Sequence, residues 1–282
     1  MIKIHQRLTF GAYLLLTTLL LQESTLLADI NLRIASYNIR REGKEKDENN
    51  LWEKRKNRVA ELIQKVHPAV IGLQEATKRQ IEDLKALLSG YDVVGEGRGA
   101  SWGGLGANEA NPIFYKKDAY ELLDSGTFSI NKVSFWTPLA YKSTGWLPRI
   151  CTWVQLKDKK SKKIFYVYNT HLDNKYDLAR QLGAKAIRAQ MGDKQPIILT
   201  GDFNTVFENI KEVFNNFDHA ADVTAKRSGP RETRTGWEDN ELKAIDHILV
   251  QRGIRVPHYE VIVESKPYSS DHRLSYAEVE IK

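Results

Sequence analysis

The sequence has 282 residues, of which 41% are hydrophobic and 28% are charged, and its formal net charge at pH 7 is +6. This composition is typical of a globular protein and excludes an intrinsically disordered chain. The mild positive charge favours binding to a polyanion, but a solvated basic face is common and does not by itself indicate nucleic acid. Cys151 is the single cysteine, which excludes an intrachain disulfide, and its apolar neighbours predict a buried thiol.

The first 28 residues differ from the rest of the chain. Lys3, His5 and Arg7 form a basic start, an apolar run follows at 8–21, and Ala28 closes the segment. This pattern predicts a secretory signal peptide over residues 1–28, so we expect an exported protein, periplasmic or secreted. The alternative is an uncleaved membrane anchor, although the apolar run is short against the roughly 20 residues that span a bilayer.

Short apolar runs rich in β-branched residues recur along the remaining chain and predict β-strands. In chain order, the predicted strands cover residues 32–38, 69–74, 111–115, 120–128, 150–156, 163–170, 197–200, 245–250, 259–263 and 274–281. Apolar residues at helical spacing predict helices over 52–66, 81–88 and 178–190. Strands with helices between them favour an α+β or mixed α/β fold with two packed sheets, and the lack of a visible linker predicts one domain over 29–282.

Two stretches, 95–111 and 129–148, predict long loops. Loops of this length inside a compact domain are usually functional or mobile. Variable surface excursions are the alternative, and loop length alone does not decide between the two.

Polar residues follow or interrupt the predicted strands at a consistent place. Nearly every run that belongs in the middle of a sheet delivers an acid, an amide or an imidazole near one end. The side chains concerned are Asn38, Glu75, His171, Asp202, Asn204, Asp246, Asp271 and His272. Because strand ends of a sheet lie in one row, we expect these side chains to converge on one cleft.

The residue types in this set indicate a particular chemistry. Carboxylate and amide oxygens suit a hard divalent cation such as Mg²⁺, with Mn²⁺ as an alternative. Imidazoles supply charge stabilisation and proton transfer. The sequence lacks zinc-ligand spacing, a Gly-x-Ser-x-Gly elbow and a phosphate-binding loop. Oxygen ligands and imidazoles without a nucleophilic Ser or Cys indicate attack by water on a phosphoester.

The phrases around Asn38, Glu75, His171, Gly201-Asp202-Phe203-Asn204, Asp246 and Ser270-Asp271-His272 resemble the endonuclease/exonuclease/phosphatase (deoxyribonuclease I-like) superfamily. The resemblance covers about residues 32–281, and the six phrases occur in order with strand context. It implies a four-layer α/β sandwich with two central mixed β-sheets flanked by helices.

The resemblance also implies roles for the residues that match. Glu75 corresponds to the metal-binding glutamate, Asn38 supports the metal and the phosphate, and Asp271 is the acid near the metal. Asp202 orients or deprotonates the attacking water, and Asn204 positions the phosphate.

The remaining matches concern the charge that develops on phosphorus. His171 corresponds to a residue that touches the phosphate. Asp246 corresponds to the aspartate that hydrogen-bonds the last histidine, His272, and His272 stabilises the developing charge. We assign Arg149, Asn174 and Trp237 to substrate binding, although Arg149 could equally form a salt bridge and Trp237 could equally pack in the core. For Arg98 a salt bridge between loop and sheet is favoured.

Three functions remain open at the level of sequence. A nuclease or phosphodiesterase acting on nucleic acid is favoured by the net charge, by the Arg40-Arg41 and Lys54-Arg55-Lys56 clusters, by Trp237, and by a loose resemblance of residues 110–128 to nocturnin-like deadenylases. A lipid or inositol phosphoesterase is the first alternative, and an exported, non-catalytic binding module is the second. No obligate protein partner is inferred, and we expect a monomer.

Overall fold

Two β-sheets lie at the centre of the fold and share one apolar core. The computed structural model describes residues 28–98, 109–131, 145 and 147–282. Nearly all of the predicted signal peptide and large parts of the two predicted long loops lie outside these residues. No helix among them has the length and apolar character needed to span a bilayer.

The first sheet has seven strands in the described residues, in the order β10-β12-β13-β1-β2-β4-β3. These strands are β1 (Ile30–Asn38), β2 (Val70–Gln74), β3 (Tyr91–Val94), β4 (Ile113–Lys116), β10 (Lys226–Ser228), β12 (Arg255–Val261) and β13 (Ser275–Ile281). The second sheet has six described strands, in the order β5-β6-β7-β8-β11-β9. They are β5 (Tyr120–Ser129), β6 (Ile150–Asp158), β7 (Ile164–His171), β8 (Ile197–Asp202), β9 (Phe217–His219) and β11 (Asp246–Gln251).

Helices cover the outer faces of both sheets. The described α-helices are α1 (Trp52–Val66), α2 (Lys78–Leu87), α3 (Asp177–Met191) and the single turn α4 (Ala220–Val223). Helices α1 and α2 bury their apolar faces against the first sheet, and α3 packs on the second. A third cluster fills the space between the sheets and draws on β1 and β2 as well as β6, β7 and β8. The four-layer α/β sandwich that the resemblance implied is therefore confirmed.

Predicted and observed elements differ mainly at their ends. Helix α2 begins three residues before its predicted start because Thr77 caps it, with Thr77 and Gln80 forming a reciprocal capping box. Strand β12 begins at Arg255 and runs through Pro257, where the pairing register shifts and the missing N–H is tolerated. Strands β3, β9 and β10 were not predicted, since runs of three or four residues carry little pattern.

A buried polar cluster joins the sheets directly beneath the edge that carries the predicted site. Asn169 Nδ2 donates to the carbonyl oxygen of Leu73 at 2.7 Å, and its Oδ1 accepts from Gln74 at 2.7 Å and from Thr200 Oγ1 at 3.1 Å. The sheets approach closely here because Gly72 has no side chain: a Cβ on Gly72 would lie 2.3 Å from Thr200 Oγ1 and 2.5 Å from Asn169 Cγ.

We predict that Gly72→Ala lowers the free energy of unfolding by about 1–3 kcal/mol, the usual cost of overpacking. The added methyl would push the side chains of Asn169 and Thr200 away from β2. Urea denaturation measures this cost. Gly90→Ala is the matched control, since a Cβ at Gly90 meets nothing within 4 Å. Equal unfolding midpoints for the two variants would contradict the close approach of the sheets.

Candidate active site

The predicted site residues lie at one edge of the paired sheets. Strands β1 and β2 are parallel, as are β7 and β8, so each pair presents its carboxyl ends together. Strand β13 is antiparallel to β1, and β11 is antiparallel to β8, so these two strands present their amino ends at the same edges. Asn38 of the first sheet hydrogen-bonds to Asp202 of the second, which shows that the two edges meet.

The side-chain amide of Asn38 links two carboxylates. Its Nδ2 donates to Glu75 Oε1 at 3.3 Å and to Asp202 Oδ2 at 3.0 Å, while its Oδ1 accepts from the backbone N–H of Arg40 at 3.0 Å. Both carboxylates require a donor, which fixes the nitrogen end of the amide. Asn38 therefore positions Glu75 and Asp202, and its oxygen accepts the backbone N–H of Arg40.

Glu75 directly follows β2 and adopts a left-handed backbone conformation, with φ of 61°. Its Oε2 accepts from the backbone N–H of Arg41 at 3.2 Å. Burial raises the pKa of Glu75. This effect is outweighed by the charges that His171 and His272 carry in acid, by that hydrogen bond and by the charge of Arg40, which together lower the pKa to about 2. Glu75 is therefore an ionised carboxylate at any physiological pH.

Asp246 and His272 form a buried hydrogen-bonded pair. Asp246 Oδ2 lies 2.8 Å from His272 Nδ1, and both residues are almost fully buried. Burial lowers the pKa of His272, but the charge and hydrogen bond of Asp246, together with the charge of Asp202, raise it to about 10. At neutral pH His272 is therefore an imidazolium, and its Nε2 lies 3.9 Å from Asp202 Oδ2.

Asp202 lies at the centre of the site and has a pKa shifted in the opposite direction from that of Glu75. Burial and the charge of Asp246 raise its pKa to about 7, against the charge of His272 and the hydrogen bonds from Asn204 and Asn38. The Asn204 bond is a backbone N–H donated to Asp202 Oδ1 at 2.9 Å. A carboxyl group with this pKa exchanges a proton near neutral pH, as a general base must.

His171 and Asn204 form the side of the site next to Asp202. Asn204 Nδ2 lies 2.9 Å from His171 Nε2 and 3.2 Å from the carbonyl oxygen of Leu172. Since an amide nitrogen only donates, His171 Nε2 accepts, which makes this imidazole neutral. Burial and the charge of Arg149 lower the pKa of His171 well below its usual value, in agreement with the hydrogen bond.

Four of these residues, Glu75, His171, Asp202 and Asn204, line a polar cavity of about 490 Å³, whereas Asn38, Asp246 and His272 are buried and are not among its lining residues. Its described lining carries five arginines and three carboxylates, which makes it a site for an anion. The charged lining residues are Arg40, Arg41, Arg98, Arg149, Arg234, Glu75, Glu109 and Asp202. A surface groove of about 640 Å³ along α3 contains none of the predicted site residues.

Two of the three residues predicted to bind substrate line the cavity, and the third does not. Arg149 and Asn174 both line the cavity, and Arg149 Nη2 donates to Asn174 Oδ1 at 3.3 Å. Trp237 does not line it: the Trp237 ring centroid lies 5.8 Å from the guanidinium carbon of Arg55. Arg98 forms the salt bridge favoured by the sequence, with Nη2 2.8 Å from Glu109 Oε1, and also lines the cavity.

Asp271 lies behind the cavity rather than in its wall. Its Oδ2 is 4.0 Å from Arg40 Nη1, and its carbonyl oxygen accepts from the backbone N–H groups of Thr235 and Gly236. Burial lowers the pKa of Arg40, but Asp271 and Glu75 raise it above its usual value, so both carboxylates lie near the same guanidinium.

The residues present fit a divalent cation. The ligand atoms of Asp202, Asp246 and His272 lie within 4.8 Å of one another, a spacing that could hold an ion, and buried Asp246 Oδ1 has no hydrogen-bond partner in the described structure. However, His272 Nδ1 carries the proton that it shares with Asp246. Glu75 is the permanently ionised carboxylate in the cavity wall, and oxygen donors of this kind suit Mg²⁺ or Mn²⁺.

Arg55 supports the site although the sequence placed it in a basic surface cluster. It is fully buried and donates to the backbone carbonyl oxygens of Ile39, Arg40 and Ser269, which tie the segment after β1 to the segment before β13. Its position in α1, three residues after Trp52 and four before Val59, places it on the apolar face of the helix. The helical period could therefore have identified Arg55 as buried.

His247 also supports the site, from the opposite face of β11 to Asp246. Its Nε2 lies 2.8 Å from the carbonyl oxygen of Thr205, the residue after Asn204, and its Nδ1 lies 3.2 Å from His219 Nε2. Since a carbonyl oxygen only accepts, His247 Nε2 carries the proton. Burial and the charge of His219 lower the pKa of His247 to about 3.

Comparison with known proteins gives one consistent family. The model of the endonuclease/exonuclease/phosphatase family matches residues 35–272. An endonuclease/exonuclease/phosphatase from Bacteroides vulgatus is 31% identical with a TM-score of 0.79, covering 90% of this chain and 100% of that one. The mannosyl-6-phosphatase Bt3783 of Bacteroides thetaiotaomicron is 27% identical with a TM-score of 0.75, covering 88% and 99%.

A viral relative matches part of the chain. The uncharacterised protein L388 of Acanthamoeba polyphaga mimivirus is 31% identical over 184 residues, which are 59% of this chain. The match spans 65% of the viral protein's length.

We predict that His247 makes the protein sensitive to acid. The unfolded chain binds a proton at His247 below its ordinary pKa of about 6.5, whereas the folded chain does so only near pH 3, so the free energy of unfolding falls by a few kcal/mol as the pH decreases between these values. In urea denaturation at pH 7 and pH 5, His247→Gln should flatten this loss. His67→Asn is the control, since His67 is exposed and its left-handed backbone suits Asn. An unchanged pH slope in His247→Gln would refute the assignment.

Proposed function

Because the chain belongs to the endonuclease/exonuclease/phosphatase family, whose members hydrolyse phosphoester bonds, we propose that it cleaves a phosphoester with water and a divalent metal ion, Mg²⁺ or Mn²⁺. The observation that carries this proposal is the central position of Asp202, between an imidazolium held by Asp246 and the Asn38 amide that links it to Glu75. One group is thus poised to accept a proton, one to stabilise negative charge, and one to attract a cation.

Water is the nucleophile that the cavity admits. Its described lining contains no Ser, Thr or Cys, and Cys151 is fully buried. Asp202, with a pKa of about 7, accepts the proton of the attacking water. Hydrogen bonds from Asn38 and Asn204 hold its two oxygens in fixed directions.

The imidazole groups act on the phosphate. His272, whose Nε2 lies 3.9 Å from Asp202 Oδ2, supplies a positive charge that stabilises the transition state, and Asp246 keeps it protonated. Asn204 holds the neutral His171 ring beside Asp202, where it lines the cavity that would receive the phosphate. A metal ion on Glu75, with Asp271 behind it, would add positive charge at a phosphate oxygen.

Two of the sequence features that favoured nucleic acid, the Lys54-Arg55-Lys56 cluster and Trp237, make other contacts in the fold. Arg55 is buried against backbone carbonyls, and Trp237 lies beside it rather than in the cavity. Lys56 Nζ pairs with Glu53 at 2.9 Å and also faces Asp83. Nucleic acid keeps as support the net charge, the Arg40-Arg41 pair, which lines the cavity, and the loose resemblance of residues 110–128 to nocturnin-like deadenylases.

Besides nucleic acid, a small phosphorylated molecule is a candidate substrate, and we favour it over nucleic acid. The arginine-rich cavity supports it, and so does the likeness to a mannosyl-6-phosphatase at 27% identity. Mannose 6-phosphate is accordingly a substrate to test, together with RNA, supercoiled DNA and sphingomyelin.

We predict that the purified protein hydrolyses at least one of these substrates in Mg²⁺ or Mn²⁺ and that EDTA abolishes the reaction. His272→Ala and Asp202→Asn should each lower kcat by about 10²–10⁴-fold, because each removes a proton-transfer or charge-stabilising group. Phosphate release and gel assays measure the rates. His258→Gln is the control, since His258 hydrogen-bonds Ser228 and does not line the cavity. A kcat equal to that of the parent in both His272→Ala and Asp202→Asn would contradict the mechanism.

We also predict that Asp246→Asn lowers the pKa of His272 well below that of the parent, because it removes the charge that opposes the effect of burial. NMR titration of the His272 ring measures the pKa directly. In the variant, activity should decrease as the pH rises past the lowered pKa. In a His272→Ala background, Asp246→Asn should lower kcat little further, because Asp246 acts through His272. If Asp246→Asn lowers kcat in that background by as much as it does in the parent, the two residues act independently.

A further inference from the structure

Two buried guanidinium groups form part of the cavity wall. Arg98 is 7% exposed and Arg149 is 4% exposed, although arginine is almost never buried without a full set of partners. Arg98 follows the isolated bridge between Gly97 and Ala110, and Arg149 directly precedes β6. They therefore reach the cavity from different parts of the chain, and burial and the charge of Arg149 both lower the pKa of Arg98.

The described neighbours leave this pair undercompensated. Arg98 Nη2 lies 2.8 Å from Glu109 Oε1, but the same carboxylate oxygen is 3.4 Å from Arg41 Nη1. Arg149 Nε is 4.0 Å from Asp173 Oδ2, and Asp173 Oδ1 accepts the backbone N–H of Lys175 at 2.9 Å. The Nε atoms of both Arg98 and Arg149 are buried without a hydrogen-bond partner in the described structure.

Uncompensated buried cations cost free energy, and an anion in the cavity relieves that cost. The relief occurs at the reaction centre, since the charges of Asp202 and Glu75 act on Arg149 and the charge of Arg149 acts on His171. The planar fork of a guanidinium matches two oxygens of one phosphate. Two such forks need more unsubstituted, charged oxygens than a bridging phosphate offers.

We propose that Arg98 and Arg149 bind the free oxygens of a terminal phosphate, so that the site selects phosphomonoesters over internal phosphodiesters. A terminal phosphate has three unsubstituted oxygens and carries close to two negative charges at pH 7, as a phosphorylated side chain does. A diester keeps two such oxygens and one charge. This inference rests on the proposed function and specifies the substrate class of the same site.

The test compares 4-nitrophenyl phosphate with bis(4-nitrophenyl) phosphate in Mg²⁺. The parent should have the higher kcat/KM for the monoester. Arg98→Gln and Arg149→Gln should each lower kcat/KM for the monoester by about 10–100-fold, the usual range for a charged hydrogen bond, and should affect the diester by less than about 3-fold. Arg149→Lys, which keeps the charge but not the fork, should lie between parent and Gln variant. Arg255→Gln is the control, because Arg255 is exposed and pairs with Glu280.

Several outcomes overturn the inference. A parent that cleaves the diester as well as the monoester contradicts it without any variant, and so does an equal loss on both substrates in folded variants. If the parent cleaves neither compound, the proposed function is in question, and binding of inorganic phosphate then tests the arginine pair. Phosphate should raise the melting temperature of the parent and not of the Gln variants, and the absence of a shift in the parent rejects the pair as an anion site.

Discussion

The site depends on the two hydrogen bonds that the side-chain amide of Asn38 donates to Glu75 and Asp202. They bring a carboxylate from each sheet to the same amide, with donor distances of 3.3 Å and 3.0 Å. Two carboxylates that share one amide donor repel each other when both are ionised, and the repulsion is strongest in a buried environment. The amide nitrogen reduces that cost and fixes the spacing, so every other group in the site is placed relative to these two acids.

The same acids have different proton affinities because their surroundings differ. Glu75 gains from several positive neighbours and remains ionised, whereas Asp202 is buried beside Asp246 and has a pKa near neutrality. Carboxyl groups whose pKa values are driven apart can divide the work of one reaction, one attracting a cation and one moving a proton. The supports of this arrangement, Arg55 and His247, lie behind the site and act through backbone carbonyl oxygens.

The sequence predicted the layers of the fold and the residues that converge, because both follow from local patterns. Helix α1 has the predicted bounds, and the polar residues that end β7 and β8 mark the edge of the sheet. What it could not predict depends on contacts between distant segments. The strand Lys226–Ser228 has no apolar pattern and forms through pairing with β12, and the two hydrogen-bond directions of the Asn38 amide appear only when both sheets are in place.

The position of β13 has a consequence for synthesis on the ribosome. This strand lies between β1 and β12, and Ser270 just before it donates to the carbonyl oxygen of Asn38, 232 positions earlier in the chain. A growing chain can form its helices and the middle strands early, but it lacks His272 and the strand that completes the first sheet until almost all of the domain has emerged. The arrangement of strands thus withholds His272 from the site until almost the whole domain has been translated.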